Sequence, residues 1–190
     1  FLKINGKYID TTQYSFLELL NKSTNDSSLN DYNLSITDWI SHLSTIFTEV
    51  RLKAYMEVRG ADAGKWEMIC ALPAFWTGIL YDEENLERLW VETNDWPYDE
   101  ILNLYKNIPT HGLQSEFMKK KVYIEAQRLL DIAISGLNRR GYLNSNGQDE
   151  SIHLDKLKRI IKDQKTPADV LVDEFNQTQN LNSLLNQRYY

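Results

Sequence analysis

The chain has 190 residues, which bounds it at one domain, or one domain with a helical appendage. Its 21 Lys and Arg against 27 Asp and Glu give a net charge of −6, and this acidic balance argues against a domain built mainly to grip phosphate backbones. The composition, 42% hydrophobic and 25% charged, is that of a globular chain and not of a disordered one, and it is long enough to bury a sizeable core.

The first nine residues alternate around Asn5-Gly6. That dipeptide between short apolar stretches predicts a hairpin, because a type I′ turn needs positive φ at both positions. A short helix is expected at Phe16–Leu20. Residues 21–35 are rich in Asn, Ser, Asp and Thr, which compete for backbone hydrogen bonds, so a loop and the least ordered stretch of the chain are expected there. Thr37-Asp38 marks a helix start ahead of Trp39, Ile40 and Leu43.

Residues 49–59 alternate strictly. Val50, Leu52, Ala54, Met56 and Val58 are apolar, while Glu49, Arg51, Lys53, Tyr55, Glu57 and Arg59 are polar or charged. Period two predicts one long strand or two collinear ones, ended by Gly60. The apolar side should cover a core.

From Lys65 the periodicity is helical. Lys65–Tyr81 is apolar and aromatic almost all round, and Pro73 should kink or split it near Ala71–Leu72. Glu83–Glu92 is amphipathic. Pro97 suits a first helical position for a helix over 97–107, and Pro109–Gly112 should be a loop. A long helix is expected over Lys119–Arg140, with Val122, Ala126, Leu129, Leu130, Ala133 and Leu137 as its buried stripe and Gly141 as its C-terminal cap. Asn144–Glu150 is a loop. Leu154, Leu157, Ile160 and Ile161 stripe a further helix, and Thr166 caps another that begins at Pro167. The fold class is α+β: a strand-rich front over 1–62 and a helical back over 63–190. The five Trp and eleven Tyr are expected largely to pack.

The single cysteine, Cys70, excludes an internal disulfide and fits a reducing compartment, and a cytoplasmic location is expected. As a lone thiol in an apolar helix it should be buried and inert. No apolar run reaches the ~20 residues that a membrane helix needs, so no membrane partner is expected, and the acidic balance makes nucleic acid an unexpected partner as well. The sequence starts without Met or a signal layout, as a piece of a longer protein would. The sequons at Asn21, Asn25, Asn33 and Asn176 are read as chance. There is no phosphate-binding glycine loop and no nucleophile elbow, and His111 and His153 lack metal-ligand spacing. His42 reads as a structural histidine in its helix, and Lys119–Lys121 as a solvated helix start.

Chemistry centres on the polar side of 49–59. Side chains two apart on a strand lie ~6.5–7 Å apart on one face, so Glu57 and Arg59 project together with Arg51, Lys53 and Tyr55. Such a row faces either bulk water or a polar cleft. A cleft would suit metal–phosphate chemistry, with a carboxylate on Mg²⁺ and cationic side chains on a phosphoryl group.

The unbroken stretch from His42 to Asp62, with Glu49-Val50-Arg51-Leu52-Lys53-Ala54-Tyr55-Met56-Glu57-Val58-Arg59 at its centre, resembles glutamate–cysteine ligases of the plant and proteobacterial type. Cys70-Ala71-Leu72-Pro73-Ala74-Phe75-Trp76, Gly78–Asp82, Asn5–Asp10, Arg139–Tyr142 and Thr166–Ala168 continue the likeness. These are carboxylate–amine ligases related to glutamine synthetase. The resemblance implies ATP-dependent joining of the glutamate γ-carboxylate to the cysteine amine through γ-glutamyl phosphate, the first step of glutathione biosynthesis. It further implies that Mg²⁺ is the cofactor, with Glu57 as a metal ligand and Arg59 on phosphate. Arg51 and Lys53 match positions near the phosphates or the glutamate carboxylates, so Arg51 and Arg59 are the catalytic candidates, and Arg51, Lys53 and Arg59 the nucleotide-contacting ones. Glutamate, cysteine, ATP and a missing N-terminal portion of the same catalytic domain are the implied partners. The 190 residues would be the C-terminal portion of that domain, ending naturally at Arg188-Tyr189-Tyr190, adding strands to a glutamine-synthetase-like sheet, and inactive alone. Thr11 stands where plant members carry one cysteine of a redox-sensitive pair, and none stands near Asp26 for the other, so that switch is absent. Cys70 matches a further plant cysteine whose partner would lie upstream of Phe1. A γ-glutamyl ligase for another amine, or a non-catalytic interaction module, are the alternatives.

Overall fold

The computed structural model describes residues 1–186, and the chain end at Arg188–Tyr190 lies outside the described residues. Those residues form two compact units, divided between Asp62 and Ala63. The class is α+β: three two-stranded antiparallel hairpins among helices, with the second unit mostly helical.

In the first unit β1 (Leu2–Ile4) and β2 (Lys7–Ile9) pair with Leu2 opposite Ile9. Asn5 and Gly6 make the turn with φ of 50° and 80°. Helix α1 (Phe16–Leu20) begins with a capping box in which Ser15 and Glu18 satisfy each other's backbone amides. The 21–35 segment is better ordered than its composition suggests. It holds a one-turn helix, α2 (Ser27–Asn30), capped by Asp26. Asn30 accepts from the Thr24 backbone and hydroxyl and donates to the Thr24 carbonyl at 2.8 Å. Side-chain competition for backbone groups here builds a compact polar knot instead of a floppy loop. Leu2, Leu19 and Leu29 form the small core, flanked by Ile4, Ile9, Tyr14, Tyr32 and Leu34. Helix α3 (Ile36–Leu43) starts on a second capping box, Ser35 with buried Asp38, whose carboxylate also accepts from the Tyr32 hydroxyl.

Residues 49–59 are neither one strand nor two collinear ones. They fold back on themselves as β3 (Val50–Leu52) and β4 (Met56–Val58), joined by the three-residue turn Lys53–Tyr55. The apolar side covers no core: Leu52 is 81% exposed and Met56 62%.

In the second unit α4 (Trp66–Leu80) runs unbroken through Pro73, and α6 (Tyr98–His111) through Pro109. Each proline deprives the carbonyl four residues earlier of a donor. Those carbonyls belong to Ile69 and Tyr105, both exposed residues, where water can satisfy them. The expected split in α4 and the expected loop at Pro109–Gly112 are therefore absent. Pro97 is the N-cap of α6, one residue before the helix. Lys119–Lys121 is not a helix start either. Glu116–Phe117 and Lys120–Lys121 are β5 and β6, turning at Met118 and Lys119, both at positive φ. Helix α7 (Val122–Arg140) begins only after them and ends on left-handed Gly141. Helices α8 (Asp155–Asp163), α9 (Pro167–Thr178, with a Thr166–Asp169 capping box) and α10 (Leu181–Asn186) complete the unit. Not all the aromatics pack: Trp66, Trp90, Tyr81 and Tyr98 are exposed. Cys70 is half-buried and unbridged, not fully buried as expected.

The core gathers Ala71, Ala74 and Ile79 of α4, Leu89 of α5 (Glu83–Asn94), Leu130, Ala133 and Leu137 of α7, and Leu154 and Ile161. Its tightest point is the α4–α7 crossing. A Cβ on Gly78 would stand 2.1 Å from the Ala133 carbonyl oxygen, and one on Gly136 would stand 2.0 Å from the Gly78 oxygen. With the backbones this close, one side chain bridges both helices. Buried Asn85 of α5 donates to the Gly78 and Ile132 carbonyls, each at 2.8 Å. Its own oxygen accepts from Arg139, which also forks onto the α5 N-cap, Asp82. No described helix is long and apolar enough to cross a membrane.

Two outcomes are expected. Gly78→Ala should cost about 3 kcal/mol or more in urea unfolding, since the added methyl meets backbone that cannot yield. The hydrogen bond from Arg139 holds the Asp82 carboxyl below its ordinary 3.8, against the upward push of burial and with help from the Asn85 amide. A depressed carboxylate stabilises the fold above its unfolded pKa, and that stabilisation is lost as pH falls through the folded value. Urea midpoints of wild type and Asp82→Asn should therefore differ most near neutrality and converge below about pH 4.

Candidate active site

The polar side of the β3–β4 hairpin is a ladder of cross-strand pairs. The register sets Arg51 opposite Glu57, between the pairs Val50–Val58 and Leu52–Met56. One step outward, the Arg59 amide donates to the Glu49 carbonyl at 2.6 Å, and at the turn the Lys53 amide donates to the Tyr55 carbonyl at 2.8 Å. In a single extended strand, Arg51 and Glu57 would stand about 20 Å apart. The fold-back brings them into contact. Because the turn has three residues, odd positions still face odd positions across the ladder, so the sequence alternation passes through the reversal unbroken.

Arg51 is engaged through all three of its guanidinium nitrogens. Its Nε donates to Glu57 Oε2 at 2.8 Å, its Nη2 lies 2.7 Å from the same oxygen, and its Nη1 donates to the Ser44 carbonyl at 3.1 Å. Ser44 is the C-cap of α3, so the guanidinium also answers the negative end of that helix. Glu57 Oε1 has no partner among the described residues. Burial pushes the Glu57 carboxyl upward, but the Arg51 hydrogen bond and the charges of Arg51, Lys53 and Arg59 outweigh it and hold the group below its ordinary value. Glu57 is thus an anion with one oxygen open.

Arg59, one residue past the end of β4 and on the same side, stacks over the Phe47 ring at 5.2 Å. Its Nη1 is buried with no hydrogen-bond partner. Lys53 is exposed at the turn, its ammonium 5.9 Å from the centroid of Tyr55. The structure therefore brings together Arg51, Glu57 and Arg59 on one side of one hairpin, with Lys53 at its tip. Ser44 and Phe47 were not anticipated. Their contribution depends on where the segment after α3 lies against the hairpin, and the only sequence hint was an aromatic residue just ahead of the alternating run.

The remaining candidates are structural. His42 is enclosed by Phe16 at 4.8 Å and Trp39 at 5.6 Å, as a packed histidine is. No group of three or more His, Cys, Asp or Glu among the described residues could hold a metal by itself. A single carboxylate with a free oxygen does fit Mg²⁺, which takes one or two carboxylates plus phosphate oxygens and water.

Comparison with known proteins places these residues in context. The family model of glutamate–cysteine ligase family 2 matches residues 14–187. Among curated proteins, the chain is 40% identical over 176 residues to the chloroplastic glutamate–cysteine ligase of Nicotiana tabacum, covering 93% of this chain and 32% of that protein. It is also 40% identical to the chloroplastic glutamate–cysteine ligase A of Oryza sativa subsp. indica over 173 residues (91% and 34%) and to the chloroplastic glutamate–cysteine ligase of Brassica juncea over 174 residues (90% and 32%). The chain thus spans about a third of the length of these relatives. Their names overturn the cytoplasmic expectation, since all three are described as chloroplastic. An unpaired cysteine speaks only for a reducing milieu, and that does not single out one compartment. A match of the family model across nearly all of the chain, together with these identities, shows that the chain belongs to glutamate–cysteine ligase family 2.

Proposed function

We propose that this chain supplies the Glu57–Arg59 side of an active site that joins the γ-carboxylate of glutamate to the amine of cysteine at the expense of ATP, in glutathione biosynthesis. One observation carries the reading: on one side of the hairpin, Glu57 of β4 keeps a carboxylate oxygen, Oε1, and Arg59, one residue past β4, keeps a buried donor, Nη1, and neither has a partner among the described residues. In this reading Glu57 Oε1 is one ligand of Mg²⁺, which when bound neutralises charge on the transferring phosphoryl group. Arg59 donates to that phosphoryl group, where negative charge develops in a site shielded from water. The glutamate γ-carboxylate oxygen attacks the γ-phosphorus and ADP leaves. The cysteine amine then attacks the acyl carbon of γ-glutamyl phosphate, loses a proton, and phosphate departs. Lys53 at the hairpin tip reaches toward nucleotide or glutamate carboxylate.

The remaining metal ligands and most of the nucleotide site are assigned to an N-terminal portion of the same catalytic domain. The bare apolar side of the hairpin supports this. Val50, Leu52 and Met56 are ordered for packing, yet exposed, as a surface that other chain covers would be. The 190 residues alone are accordingly expected to be inactive. This portion would add β3 and β4 to a larger antiparallel sheet of the glutamine-synthetase kind.

The test is Mg²⁺-dependent ADP release with glutamate and cysteine, from this chain alone and from the chain extended to the length of its relatives. Turnover only in the longer protein, lost without cysteine and reduced about 10²-fold or more by Arg59→Met, is the expected result. Turnover with a different amine in place of cysteine would redirect the acceptor assignment, and none with any amine would leave a non-catalytic module. The packing argument has its own check. Leu52→Asp should change urea stability of the 190-residue chain by less than about 0.5 kcal/mol, because the side chain is already in water. It should lower the melting temperature of the longer protein measurably.

A further inference from the structure

Arg51 and Arg59 differ in what their guanidinium groups have left to give. Arg59 keeps a buried nitrogen without a partner. Arg51 directs all three of its nitrogens into the protein: two to a single oxygen of Glu57 and one to the carbonyl that caps α3. Three of its five N–H donors are spent in this way, and turning the fork to face phosphate squarely would take it off a carboxylate and a helix terminus. Both would then be uncompensated, and breaking a charge-assisted pair of this kind is costly.

We propose that Arg51 is a positioning residue that acts through Glu57 and never touches phosphate. The end of α3 fixes Arg51, Arg51 fixes Oε2, and Oε1 is thereby presented outward. The pairing is selective, because it engages one carboxylate oxygen and leaves its twin open. A lysine could not do this. Its ammonium can reach the carboxylate but lacks the planar fork that spans Oε2 and the Ser44 carbonyl together. This assignment rests on the reading of Glu57 given above, and it parts Arg51 from Arg59 and Lys53 in role.

A double-mutant cycle with two readouts tests it. In the 190-residue chain, the side-chain carboxyl ¹³C resonance of Glu57, identified by its disappearance in Glu57→Gln, is followed in Arg51→Met, Arg51→Lys and Lys53→Met. A clear displacement in Arg51→Met, a partial return in Arg51→Lys and none in Lys53→Met is the expected pattern. In the extended protein, Arg51→Met should lower kcat/KM about tenfold or more, yet less than twofold when Glu57 is already Gln, because the two act as one unit. Losses that multiply in the double variant would mean that Arg51 meets substrate by itself and would overturn the proposal, as would an unmoved carboxyl resonance. Undiminished turnover in Glu57→Gln would instead overturn the role given to Glu57, and the resonance would still report whether Arg51 holds it. Should Arg51→Met fail to fold, Arg51→Lys with its resonance and its own cycle against Glu57→Gln decides between the same outcomes.

Discussion

The helical unit depends on one contact between two backbones. Gly78 and Gly136 let α4 and α7 approach until carbonyl meets α-carbon, and no larger residue fits either place. Close approach leaves backbone carbonyls without water, and the structure answers that cost locally. Asn85 donates to one carbonyl on each helix, Arg139 holds Asn85, and Asp82 holds Arg139 while capping the helix that carries Asn85. Three side chains that tie three helices together thus depend on two glycines. A polar network of this kind, anchored on buried Asn85 and reaching the surface at Arg139, specifies a single arrangement because every member has its partner. The apolar core around Leu130, Leu137 and Leu154 supplies bulk stabilisation, while the network sets the angle and register of the helices.

The first unit solves a different problem with smaller means. Its core is three leucines, so order is carried by caps and side-chain-to-backbone bonds: Ser15 with Glu18, Thr24 with Asn30, Ser35 with Asp38. This economy is what holds the candidate site. Capped helix α3 ends at Ser44, the Ser44 carbonyl receives Arg51, and Arg51 meets Glu57. A local signal at Ser35, a helix start, is therefore linked through one short helix to the geometry of a carboxylate more than twenty residues later.

Much of this was legible in the sequence where a local rule decides. Asn5-Gly6 needs positive φ, Gly141 ends a helix and Thr166-Pro167 starts one, and each does so in the fold. The errors share a cause: a feature that local pattern cannot distinguish. Pro73 and Pro109 did not break their helices, because whether a freed carbonyl finds water is a matter of exposure, not of spacing. The turn at Met118-Lys119 carries no glycine to announce it. The side-by-side placement of Glu57 and Arg59 followed from alternation alone. The contact of Arg51 with Glu57 did not, because an odd-length turn preserves alternation and hides the reversal. Ser44 and Phe47 joined the site through tertiary placement, which no periodicity records.

That three-residue turn constrains how the gene can change. Where the turn keeps its three-residue form, removing or adding a single residue between Leu52 and Met56 would shift the pairing by one and rotate β4 half a turn relative to β3. Glu57 and Arg59 would then exchange sides with Met56 and Val58, and the charged ladder would be split between the two faces. Substitutions within Lys53–Tyr55 leave that parity intact, whereas length changes do not. The loop tip, where insertions are ordinarily tolerated best, is here the place where one codon gained or lost would dismantle the site.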